Sequence, residues 1–350
     1  MGSRCLHECF RTSPRHNGSH STPGTALLRH VPEEPERDPV YPNSAILPAM
    51  RPPAQSKLRQ SKRAGESVKA VTVLNLGAGV QSTTLYLMAV RDALPQMEID
   101  AAIFADTQDE PEEVYKHLDW LKSLNGPPIL TGTAGRLGDD VRNGRNSTGG
   151  RFASIPAFTT DGVKIGITRR QCTKEYKLEV IGKVLRREIL GLKPGAHVSR
   201  DVEVTQLIGI SLDEAGRAGR LDRRPPAKYI RRRYPLIEKF FTRNDCLKWL
   251  QKFGQVPHQV PRSACVFCPY HSDLEWMRVK SNPADWLRAV EIDEALRTTG
   301  AVANRNLAQS MYLHRSCQPL VQIQFNPSPD PRAAQTNINY AAECMGVCGL

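Results

Sequence analysis

The stretch that most constrains the fold runs from Val71 to Ala93, VTVLNLGAGVQSTTLYLMAVRDA. Val71 to Leu76 is a short apolar, β-branched run that reads as a buried strand. Gly77-Ala78-Gly79-Val80-Gln81-Ser82-Thr83 follows, small and hydroxyl-bearing. Leu85, Tyr86, Met88 and Ala89 then recur at helical spacing, so the chain leaves the loop as a helix. A strand, a glycine-rich turn and a helix in that order aim backbone N–H groups and the positive helix end at an anion. Glycines permit close backbone approach, and Ser82 and Thr83 are candidates to cap the helix and donate further hydrogen bonds. An ordinary strand–helix turn has the same outline, so the rest of the chain must decide.

Downstream, apolar strands alternate with helical patterns, which points to an α/β fold with a mostly parallel sheet and helices on both faces. Ile99 to Ala105 reads as a strand ending in Asp106, followed by an acidic helix from Glu110 to Leu124. Ile129-Leu130 is a third strand, Val202 to Ile210 a fourth, and Tyr234 to Ile237 a short fifth. Asp106 stands just past a strand end, where open α/β sheets bind ligands. It suits a ribose hydroxyl or Mg²⁺, or equally a helix cap. Residues 132–166, rich in Gly, Arg and Asn, are too long for a plain connector. Arg136, Arg142, Arg145 and Arg151 there form either a clamp over a polyanion or a solvated insertion. Ser272 to Leu296 reads as helical. His314 and Arg315 suit a phosphate or a surface pair.

At 350 residues and 40% apolar composition the chain can bury a full core, enough for one α/β domain of roughly 200–250 residues with tails. Residues 1–68, polar and proline-rich, read as a disordered tail, 69–260 as the nucleotide-binding domain and 261–350 as a cysteine-bearing segment. The net charge of +12 favours polyanionic partners, either nucleotide phosphates or a nucleic-acid backbone. No apolar run approaches the ~20 residues needed to span a bilayer, and residues 1–50 hold no signal-peptide-like apolar run. No membrane partner and a cytoplasmic location are expected. Nine cysteines then imply metal, cluster or redox chemistry rather than a disulfide framework. Cys172, flanked by Arg170 and Lys174 at a helix start, is placed to ionise readily. Cys265 and Cys268 form a CxxC pair within reach of one metal or cluster. Cys344 and Cys348 lie in the last seven residues. Cys246 and Cys317 sit in apolar segments and read as packing residues.

Position for position, Gly77 to Thr83 resembles the SGGxDS-T loop of the PP-loop family, the ATP pyrophosphatases and PAPS reductases. Gly77 stands at that motif's first Ser and Gln81 at its Asp, a departure that favours the PAPS-reductase branch. The resemblance continues in FADTQDEPEEV, in Cys172 before a basic helix, in the segment from Gly209 to Arg217, in Pro235-Leu236 with its following helix, and in the CxxC. It implies a PP-loop fold. It further implies an adenine nucleotide, ATP or PAPS, held by Gly77, Ala78, Gly79, Gln81, Ser82, Thr83, Asp106 and Arg217, with Mg²⁺ as a possible companion. The order of the cysteines along the chain is similar to reductases in which Cys172, Cys265 and Cys268 would hold a four-iron four-sulfur cluster. A four-thiolate zinc knuckle of Cys265, Cys268, Cys344 and Cys348 is the alternative. With the cluster, Cys344 or Cys348 would be the nucleophile of a reductase that uses an external thiol such as thioredoxin. An ATP-dependent sulfurtransferase acting on nucleic acid with a cysteine desulfurase, and a non-catalytic adenylate-binding module, are the competing functions.

Overall fold

The structure, a computed structural model, describes residues 60–63, 66–94, 97–145, 155–168, 170–298 and 309–326. The tail cysteines Cys344 and Cys348, together with Arg151, lie outside these residues.

Strand β1 (Gln60–Arg63) pairs antiparallel with the start of β2 (Glu66–Asn75), from Gln60 opposite Lys69 to Arg63 opposite Glu66. The sheet thus begins before residue 69, where the tail was expected to end, because its first strand pair carries the polar sequences QSKR and ESVK. Helix α1 (Val80–Val90), β3 (Ala101–Asp106), α2 (Glu112–Ser123) and β4 (Ile129–Thr133) follow. Next come the short α3 (Leu137–Arg142) and a two-stranded hairpin, β5 (Phe158–Thr160) with β6 (Ile165–Ile167). The basic helix predicted after Cys172 is present. Its centre is α4 (Glu179–Val184), with wide π turns at Thr173–Leu178 and Leu185–Ile189. Such turns often accompany functional sites.

The chain continues through β7 (Val202–Ile208), α5 (Ala215–Asp222), β8 (Ile230–Arg233), α6 (Pro235–Glu238), α7 (Arg243–Trp249), α8 (Asp273–Ser281) and α9 (Pro283–Arg297). The strand expected at Tyr234–Ile237 is instead a helical turn. Pro235 has no N–H for a ladder and starts that turn, which suits its fixed φ. The strand lies just before it, in arginine-rich sequence at a sheet edge, where apolar side chains are not required. The helical region after Ser272 divides at Asn282, whose Oδ1 accepts from the N–H groups of Ala284 and Asp285 and so starts α9.

The central sheet has the order β4-β3-β2-β7-β8, parallel throughout. From β2 the chain moves one way to β3 and β4, then crosses back to lay β7 on the other side of β2. The gap between the β2 and β7 ends is therefore a topological switch point. Val71, Val73, Ile103, Ala105 and Val204 pack on one face against Val180, Ile181, Val184 and Leu185 of the basic helix. Leu74, Ala102 and Phe104 alternate to the other face and are equally buried. A second core joins Leu137, Val141, Tyr176, Val266, Phe267, Trp276, Ile292 and Leu313. It draws on both sides of position 260, so the last third of the chain shares a core with α3 and the basic helix.

Candidate functional site

Two groups of side chains gather at the carboxyl end of the sheet. The first is the glycine loop at the switch point. Gly79 is the N-cap of α1 in extended backbone, φ −97° and ψ 179°, with no side-chain cap and no acid in the first turn. The expected capping by Ser82 or Thr83 does not occur. Ser82 Oγ instead accepts from Gly77 N–H at 3.2 Å and donates to Gly79 C=O at 3.2 Å, which closes the loop on itself. Thr83 Oγ1 is turned towards α2, 2.9 Å from His117 Nε2, and so does not line the loop. Ala78, with φ 59°, takes the left-handed turn that a glycine would take more cheaply.

Gln81 is fully buried. Its Nε2 donates to Glu214 Oε2 at 3.0 Å, and its Oε1 accepts from Arg243 Nη1 at 2.8 Å. Glu214 in turn meets Arg217 Nη1 at 2.7 Å. An aspartate at position 81 would face the Glu214 carboxylate with no proton to give, whereas an amide can donate to one neighbour and accept from the other. The carboxylate beside Gln81 thus comes from Glu214, in the segment after β7. Arg217 is buried beside it rather than projecting past the strand end. Arg243, which sequence reasoning passed over, completes the network. Asp106 accepts from Gln108 N–H at 2.7 Å and Tyr115 O–H at 2.9 Å. It closes a local turn, and the N-cap of α2 is Pro111.

The second group is the cysteines. Cys172, Cys265 and Cys268 line one small cavity with Thr107, Arg170, Lys177 and Pro269. The CxxC turn is fixed from several directions. Cys268 N–H donates to Cys265 C=O at 2.9 Å, Val266 N–H donates to Asp109 C=O at 2.8 Å, and His271 Nε2 lies 3.0 Å from Cys265 C=O. Asp109 itself is buried, accepting from Gly138 N–H at 2.7 Å and Arg136 Nε at 3.1 Å, and burial pushes its carboxyl up. Beside the cavity, Lys177 Nζ meets Glu110 Oε1 at 3.0 Å, and Thr107 donates to the same oxygen at 3.2 Å. Arg170 lies over the Tyr270 ring at 4.9 Å. The Cys265 thiol is raised well above its ordinary range by its hydrogen bond with Cys268 and by burial.

Arg136 and Arg142, read as part of either a clamp or a solvated insertion, are engaged within the fold: Arg136 with Asp109, Arg142 with Asp139 and Glu291. His314 is buried between Ser316 and Asp273, and Arg315 also meets Asp273. Cys246 is buried as expected of a packing residue, while Cys317 is half-buried. Among the described residues, no three His, Cys, Asp or Glu side chains converge tightly enough to hold a single metal ion. No helix among them is long and apolar enough to cross a membrane. No family model, curated protein or solved structure matches this chain.

Proposed function

We propose that the protein is a PAPS-reductase-like enzyme with a PP-loop nucleotide-binding domain. It binds an adenine nucleotide at residues 77–82 and carries out sulfur chemistry at Cys172, Cys265 and Cys268. One observation carries this reading. Three cysteines separated by as many as 96 residues of sequence line a single cavity at the end of the sheet that also presents the glycine loop. The buried Asn75 Oδ1 at the end of β2, which has no hydrogen-bond partner among the described residues, supports a ligand with donor groups beside the loop.

The donor set fits a four-iron cluster better than zinc. Thiolates are the usual cluster ligands, and a cluster takes them on separate irons, so they need not meet at one point as they must around a single ion. Cys172, Cys265 and Cys268 would hold it, and their thiol protons would leave on binding. When bound, such a cluster supplies electrostatic polarisation or sulfur exchange beside the nucleotide. A thiolate of Cys344 or Cys348 would attack the sulfur of an adenylylated sulfate, forming an S–S bond and breaking the S–O bond to the nucleotide phosphate. An external dithiol would then reduce the thiosulfonate and release sulfite.

The test is anaerobic reconstitution with iron and sulfide, followed by metal analysis and titration with ATP and PAPS. About four irons per chain are expected, lost in Cys172→Ala and Cys268→Ala and retained in Cys344→Ala and Cys348→Ala. Zinc that survives Cys172→Ala but leaves with Cys344 or Cys348 would establish the knuckle instead. A protein that binds neither nucleotide in any reconstituted form would overturn the enzyme reading. A second reading, ATP-dependent transfer of sulfur to nucleic acid, is favoured by the net charge of +12.

A further inference from the structure

One short segment of the fold is dense in exposed cations. Between Arg220 and Arg231 five cations, Arg220, Arg223, Arg224, Lys228 and Arg231, are exposed. None forms an ion pair with a described residue. Six other arginines, Arg136, Arg142, Arg262, Arg288, Arg297 and Arg315, each meet a carboxylate, while Lys183, Arg187 and Lys193 of the basic helix and its loop are exposed like the five. The one acid in the segment, Asp222, already accepts from Tyr234 O–H at 2.6 Å.

The backbone beneath these cations is held in place. Arg220 lies in the last turn of α5, Arg223 is its C-cap, three residues on, and Arg224 follows directly in the turn beyond. Arg232 Nη1 donates inward to the carbonyls of Leu221 and Arg224, at 2.9 and 2.8 Å, tying that helix end to β8. Pro225 and Pro226 stiffen the connection, which lowers the entropy lost on ordering around a ligand. Among the described residues β8 pairs with β7 alone, so it forms an edge of the sheet.

We infer that this edge, the end of α5 with the following turn and β8, is a binding face for the phosphodiester backbone of a nucleic acid. This deepens the second reading above and rests on it for any catalytic meaning. Charge complementarity selects the partner. Leu212 and Phe240 are exposed, but no large hydrophobic side chain between them is. A bilayer surface would call for apolar residues to insert, and a protein partner for aromatic or aliphatic anchors. Unpaired guanidinium groups on a fixed scaffold suit phosphates, which they can contact in a bidentate manner. The same helix carries Arg217, paired with Glu214, and Glu214 in turn accepts from Gln81 of the glycine loop, so the face is linked to the loop through Glu214. Charged edge strands also discourage sheet-to-sheet aggregation, and that role alone is the principal competitor.

The experiment measures binding of the full chain to labelled single-stranded DNA, duplex DNA and RNA oligonucleotides across 50–300 mM salt. Two triple variants are compared: Arg220→Gln/Arg224→Gln/Arg231→Gln, and a charge-matched control on the basic helix and its C-terminal loop, Lys183→Gln/Arg187→Gln/Lys193→Gln. The first should lose at least tenfold in affinity at 150 mM salt. Its log–log salt slope should become shallower by roughly 2–3 units, the release of about one counterion per lost phosphate contact. The control should keep most of the affinity. Equal losses in both variants would reduce the effect to net charge and overturn the inference. So would unchanged binding in the first variant, no binding by the wild type at 50 mM salt, or tighter binding to vesicles of anionic lipid than to any oligonucleotide. ATP and PAPS affinity, measured on the same variants, should not move. Oligonucleotide binding without adenylate binding would leave this face standing while removing the proposed enzyme.

Discussion

Replacing Lys177 with methionine tests the buried chemistry beside the cysteine cavity. The Lys177 side chain is 8% exposed and that of Glu110 is fully buried, with 3.0 Å between their charges. At that distance the attraction is about 5–6 kcal/mol for an effective dielectric of 20, and the desolvation of two ions offsets most of it. The pair as a whole therefore contributes little net stability, but neither partner can be removed alone. Lys177→Met leaves Glu110 charged and buried, with the Thr107 hydroxyl as a remaining donor at 3.2 Å. The expected cost is ~3–5 kcal/mol, which lowers Tm by roughly 10 °C in a domain of this size. Lys177→Met/Glu110→Gln should recover most of that loss, because the uncompensated charge is gone while the acceptor for Thr107 remains. Urea denaturation of wild type, both single variants and the double variant gives the coupling energy, expected at ~2–4 kcal/mol. A single-variant cost below ~1 kcal/mol, or strictly additive effects, would show that water reaches the pair and would refute the reasoning.

Other perturbations bear on other parts of the fold. His117 is buried between Thr83 and His258 and its pKa is pushed down to about 3, chiefly by burial and then by the charge of His258. The unfolded chain therefore binds a proton that the folded chain refuses as pH falls below ~6.5. Wild type should lose about 2–3 kcal/mol between pH 6.5 and 4.5, and His117→Gln should flatten that slope in denaturant titrations. Gly132 in β4 has no room for a methyl group, since a Cβ there would stand 2.4 Å from Val184 Cγ2 and 2.9 Å from Val180 Cγ1. Gly132→Ala should cost ~1–3 kcal/mol, and a stability equal to wild type would mean that the basic helix moves away freely. Gly79 is buried at the N-cap of α1 with backbone angles open to any residue, so Gly79→Val should keep its circular dichroism spectrum at a cost of about 1–2 kcal/mol for the poorer cap, while losing adenine nucleotide binding. Retained nucleotide affinity would remove the loop from the site.

The alternation of apolar strand and helical periodicity determined the α/β class. It placed β2, α1, β3, β4, the basic helix and β7 in order, because buried strands and amphipathic helices need apolar residues at fixed spacing whatever surrounds them. The glycine loop and the CxxC were equally legible, since both are local in sequence. Edge elements were less so: β1 and β8 carry Gln, Ser, Lys and Arg, and only their pairing makes them strands. The roles of individual loop residues were decided by contacts with residues distant in sequence, 34 positions away for Thr83 and more than a hundred for Gln81. Gln81 reads as a lost acid until Glu214 and Arg243 stand beside it, and Thr83 reads as a phosphate donor until His117 occupies its hydroxyl. Likewise no spacing rule joins Cys172 to Cys265. Only the packing of the basic helix and the CxxC turn into one core brings them to the same cavity, with Asp109, Glu110 and Lys177 behind them. Periodicity records which face of an element is buried, whereas the chemistry of a site depends on which buried faces meet.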